Sequence, residues 1–109
     1  MAKVQAARID PDLRRQLEST AAGDAPVEAV LYLRPQPGQL AVPPERMDEL
    51  AREILERAGA AAGEAAHAYN VFRNLGMVAV VGGRSFLREL LKQPEVSSAV
   101  ANRQDGSAR

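Results

Sequence analysis

The chain has 109 residues, 14 basic and 14 acidic side chains, one histidine and no cysteine. That length suits a single domain with one modest core. A formal charge of zero argues against a nucleic-acid binder, which carries a basic surplus or a basic face, and the lack of cysteine excludes disulfides, thiol catalysis and Cys-ligated metal. Apolar residues make up 46% but aromatics only 4%, and tryptophan is absent. The core must therefore be built from Val, Leu, Ile and Ala, in thin layers rather than around a deep pocket.

In chain order, the first segment carries no run of apolar residues of the length a signal peptide needs. No window approaches the ~20 apolar residues of a membrane span. The expectation is a cytoplasmic product with no membrane partner. Asp10-Pro11-Asp12 reads as a helix start, with a capping acid, a proline in the first turn and a second acid near the positive end of the dipole. Leu13 and Leu17 share a face, so a short helix is predicted over residues 11–20. It reads either as a docking arm or as a frayed extension.

Residues 27–33, VEAVLYL, are apolar on both alternating faces and flanked by Pro26 and Pro35. They predict a central strand. Residues 35–44 hold four of the seven prolines and predict an irregular loop. From Pro44 to Ala58, Met47, Leu50, Ala51, Ile54 and Leu55 recur at helical spacing. The charges of mixed sign between them read as a solvated face. Gly59 and Gly63 mark where this helix ends or frays.

Residues 65–73 alternate as a strand, Asn74-Leu75-Gly76 has turn chemistry, and residues 77–81 return as a second strand, making a hairpin. Gly82-Gly83 breaks it. Ser85 reads as the N-cap of a helix over residues 86–92, whose buried stripe is Phe86, Leu87, Leu90 and Leu91. Pro94 blocks its continuation. Val96, Ser98 and Val100 alternate as a last strand, and residues 102–109 read as a polar, disordered tail.

After the N-terminal helix the order is strand, helix, strand, strand, helix, strand. Two split strand–helix–strand units in this order predict an α+β, ferredoxin-like βαββαβ sandwich: an antiparallel sheet with two helices on one face and an extra N-terminal helix. The other sheet face is then left for a partner.

No residue pattern predicts catalysis. His67 lacks the cysteine or acidic neighbours of a metal site and reads as a structural or exposed side chain. Ser85, Ser97 and Ser98 have no base and orienting group beside them, and the nucleophile-elbow pattern is missing. Residues 82–85, GGRS, precede a helix and could cradle an anion on free amides. The phosphate-loop pattern is incomplete, and a tight strand-to-helix turn demands the same residues. The reading is a non-enzyme with no cofactor and no metal.

Residues 86–96, FLRELLKQPEV, resemble the C-terminal half of subtilisin-type propeptides and their stand-alone inhibitor relatives. In that family a small helix ends in a leucine, a basic residue, a spacer, then Pro-x-Val. Here these are Leu91, Lys92, Gln93, Pro94, Glu95 and Val96. The hairpin over residues 71–81 is similar to the family's Phe-containing hairpin, and the resemblance spans residues 27–102. Where the family repeats Val three residues on, this chain has Ala99 and then Val100; where it carries acids after the last strand, this chain has Ala101, Asn102 and Arg103.

The resemblance implies a protein-binding module. Its open sheet face would pack on a subtilisin-like serine protease. Its C-terminal tail would enter the cleft as an added strand and act as inhibitor or folding chaperone. Fifteen residues follow Pro94, close to the tail length such propeptides use. The protease-binding tail residues would be Ala101, Asn102, Arg103, Gly106, Ser107, Ala108 and Arg109. Residues 1–24 would be a helical extension, 25–102 the propeptide/inhibitor-like domain and 103–109 a flexible tail. The alternative is a small ferredoxin-like regulatory, oligomerisation or adaptor domain without protease inhibition, for instance a homodimer formed through the open sheet face.

Overall fold

The computed structural model describes residues 7–18 and 26–102. The order of elements is β1 (Arg8–Ile9), α1 (Pro11–Glu18), β2 (Val27–Leu33), α2 (Pro44–Ala62), β3 (Ala68–Phe72), a single 3-10 turn (Arg73–Leu75), β4 (Met77–Gly82), α3 (Arg84–Leu91) and β5 (Val96–Ala101). The class is α+β. The five strands form one mixed sheet in the order β1-β5-β2-β4-β3. β2 pairs antiparallel with both β4 and β5, and β3 pairs antiparallel with β4.

The sheet is not purely antiparallel. β1 adds a parallel edge strand beside β5, with Arg8 opposite Ser98 and Ile9 opposite Ala99. The Asp10 N–H then donates to the Ala99 carbonyl at 2.9 Å. Two residues are too few to show an alternation, so nothing in the pattern of Arg8-Ile9 marks a strand.

Period-two alternation sorts β2 and β4 onto two faces; in β5 a register shift opposite Tyr32 and Leu33 breaks the expected Val96-Ser98-Val100 alternation, burying Val96 and Ala99 and exposing Val100. Val27, Ala29, Leu31 and Leu33 of β2, Val78 and Val80 of β4, and Val96 and Ala99 of β5 are buried. They meet Leu13 and Leu17 of α1, Met47, Leu50, Ile54, Leu55 and Ala58 of α2, and the whole stripe Phe86, Leu87, Leu90 and Leu91 of α3 in a single core. All three helices therefore cover the same sheet face. α1 is held there by Leu13, which is completely buried, and capped by a bond from the Leu13 N–H to the Asp10 carboxylate (3.2 Å). The predicted continuation of this helix over residues 19–20 lies outside the described residues.

α2 continues beyond Ala58 through Gly59 and ends within the predicted Gly59–Gly63 stretch, where Gly63 takes a left-handed φ of 77° and its N–H donates to the Gly59 carbonyl. Only a residue without Cβ adopts that conformation cheaply. β3 is shorter than predicted, because Ala65, Ala66 and His67 precede it and Arg73 belongs to the 3-10 turn. Ser85 is not the cap of α3. β4 extends to Gly82, Gly83 stands at the N-cap position in extended conformation without a side-chain cap, and Ser85 lies exposed in the first turn.

Candidate protein-binding face

The uncovered side of the sheet is built by the residues between the buried ones. Register places them in rows across the strands. One row is Ser98, Tyr32, Met77 and Phe72; the next is Val100, Val30, Ala79 and Asn70; Glu28, Val81 and Ala68 form a third. Tyr32 is 39% exposed, Phe72 36% and Val100 37%. Large apolar side chains at strand centres are normally covered, so a contiguous patch of them marks a contact surface. Glu28 is charged, and so is Arg8, which extends the first row beside Ser98 at the sheet edge. The patch was foreshadowed by the apolar second face of residues 27–33. Phe72 and Met77 join it only through pairing of the hairpin.

The last strand leads off this face. Ala101 pairs with Ala29 and turns its side chain toward the core. The Asn102 N–H donates to the Glu28 carbonyl at 3.1 Å. Both residues are half-buried, so of the predicted tail residues these two belong to the sheet. Arg103, Gly106, Ser107, Ala108 and Arg109 lie outside the described residues. Because β1 occupies the outer edge of β5 at Ser98 and Ala99, the chain becomes free to leave the sheet only beyond that point.

The Pro94-Glu95-Val96 turn is held by two arginines. Arg34, at the end of β2, donates from Nε to the Pro94 carbonyl (3.1 Å) and from Nη2 to the Val96 carbonyl (3.0 Å). Its backbone N–H donates to the Glu95 carbonyl at 2.7 Å. Arg57 of α2 donates to Glu95 Oε2 (2.6 Å) and to Gln93 Oε1 (3.0 Å). The bond to Glu95 raises the Arg57 pKa, partial desolvation opposes it, and the charges of Glu95 and Glu53 add to the rise. Glu95 Oε1 is buried without a hydrogen-bond partner. These contacts fix the start of β5 and thereby the direction in which the chain leaves its other end.

The glycine turn before α3 lies against an acid of the same chain. The Glu64 carboxylate lies so close to Gly83 that a Cβ there would stand 2.9 Å from both of its oxygens. A carboxylate at a helix start is stabilised by the dipole, and glycine makes the approach possible. Residues 82–85 form the strand-to-helix turn, with Gly83 at the N-cap position and the Glu64 carboxylate beside it. Gly82 serves packing: a Cβ would meet the Phe86 ring at 3.0 Å.

His67 is exposed, and its N–H donates to the Val81 carbonyl at 2.8 Å. Among the described residues no group of three or more His, Cys, Asp or Glu side chains is arranged to hold a metal ion, and no helix is long and apolar enough to cross a membrane. The chain matches no family model, no curated protein and no solved structure.

Proposed function

We propose that this protein is a non-enzymatic binding module, similar to subtilisin propeptides, which engages a subtilisin-like serine protease through its open sheet face and C-terminal tail. The observation that carries the reading is the joint position of the two parts: an exposed row of Tyr32, Met77 and Phe72 on the sheet whose last strand ends at Ala101, followed by Asn102 bonded to Glu28. In fold terms, the antiparallel strands in the order β5-β2-β4-β3, with α2 and α3 as crossovers, are read as a ferredoxin-like βαββαβ sandwich. β1 and α1 are then additions to it. The anchored Pro94-Glu95-Val96 turn supports the reading because it aims the last strand, and a tail can gain main-chain bonds in a cleft only if it arrives aligned.

Titrating a subtilisin-type protease with the full-length protein and with a chain ending at Asn102 tests this. Inhibition by the first that collapses in the second is the expected result. Undiminished proteolysis under excess full-length protein removes the reading.

A further inference from the structure

β3 ends the sheet, and among the described residues no strand pairs with its outer side. Which of its backbone groups point outward follows from the ladder. The Leu33 N–H bonds the Gly76 carbonyl and the Asn102 N–H bonds the Glu28 carbonyl. In antiparallel pairing, successive residues turn both their N–H and C=O to alternate sides. Odd-numbered residues of β2 therefore face β4, and even-numbered residues of β4 face β2. Met77, Ala79 and Val81 face β3, where they meet Phe72, Asn70 and Ala68. The outward residues of β3 are Tyr69 and Val71.

This arrangement is its own complement. If a second β3 approaches antiparallel with its Asn70 opposite Asn70, Tyr69 of each copy stands opposite Val71 of the other. All the outward N–H and C=O groups of these residues then bond across the dyad, four bonds in total. Aromatic and β-branched side chains opposite one another are a favourable cross-strand pair. The Asn70 carboxamides, on the open face at the close non-bonded position of the ladder, meet at the axis. Residues 68–72, AYNVF, contain none of the devices that keep an edge single: no lysine, no proline and no charge. A net charge of zero adds no repulsion between copies.

We propose that β3 is a self-pairing edge through which a second copy of this chain joins antiparallel about Asn70, giving one continuous ten-stranded sheet. The pairing runs through the backbone of the edge and touches the open face only at its margin, where Asn70 lies, so it does not depend on the protease reading. Five paired residues place it in the small, transient class of interfaces, and pairing is concentration-dependent.

Sedimentation equilibrium from about 10 µM to about 1 mM is the test. The apparent mass should rise from 11.7 kDa toward twice that value. Asn70→Lys sets like charges against each other at the dyad, and Val71→Pro removes an outward donor at a place where an edge strand tolerates proline. Both variants should stay monomeric at every concentration while keeping the wild-type far-UV circular dichroism. Should Val71→Pro lose its fold, Asn70→Lys, an exposed substitution, decides alone. A wild type that remains monomeric throughout overturns the proposal. So does a dimer that persists in the folded variants, or one abolished only by Tyr32→Asp on the face.

Discussion

Leu31 and Tyr32 are neighbours in β2, yet they face opposite sides of the sheet, and truncating each should have opposite consequences. Leu31 is completely buried, whereas Tyr32 is 39% exposed and pairs only with Ser98 and Met77 across the open face. Leu31→Ala removes core methyl groups between the sheet and its covering helices, at a cost of about 2–5 kcal/mol. A domain of this size holds only about 5–15 kcal/mol of stability, so the variant should lose a substantial part of the wild-type value. Tyr32→Ala gives up cross-strand pairing worth about 0.2–1 kcal/mol and leaves no cavity. Urea unfolding followed by circular dichroism reads both. The midpoint should fall sharply for Leu31→Ala and slightly for Tyr32→Ala, with unchanged slopes because the same surface is exposed on unfolding. In a protease titration the ranking should reverse, with Tyr32→Ala weakening inhibition while the protein stays folded. Equal stability losses for the two variants would refute the assignment of a covered and an uncovered face.

Gly82→Ala places a Cβ 3.0 Å from the Phe86 ring and should cost about 1–3 kcal/mol through overpacking, seen as a lower Tm in calorimetry. Gly63→Ala meets nothing within 4 Å but must hold a φ of 77°. The loss there should be purely conformational, about 1–2 kcal/mol, in the same assay. Glu64→Gln removes the charge from the start of α3 and should cost about 0.3–1 kcal/mol at low ionic strength, shrinking as salt is added. Arg34→Met frees the Pro94 and Val96 carbonyls and should lower stability by about 1–3 kcal/mol. If the anchored turn aims the tail, it should also weaken protease inhibition more than its stability loss explains.

The elements with strong periodicity were legible. The helical spacing of Met47, Leu50, Ile54 and Leu55 and the proline-flanked apolar run over residues 27–33 each led to an element at the same place. What escaped was set by contacts distant in sequence. Arg8-Ile9 becomes a strand only because β5 offers it an edge. Ser85 loses the capping role because β4 keeps its pairing through Gly82, which leaves Gly83 at the N-cap position. For the site, the apolar second face of β2 was visible from alternation. The rows that make it a surface depend on register, and the arginine anchors at Pro94-Glu95-Val96 depend on side chains about 60 and 40 positions away.

The short parallel strand at the sheet edge has a temporal consequence. Ile9 is made ninety residues before its partner Ala99. At a synthesis rate of about 5–20 residues per second, the first strand waits about 5–18 s with its backbone unpaired. It cannot seed the sheet; it closes it. Until β5 is made only β2, β3 and β4 can pair, so the short parallel strand can join the sheet only after them.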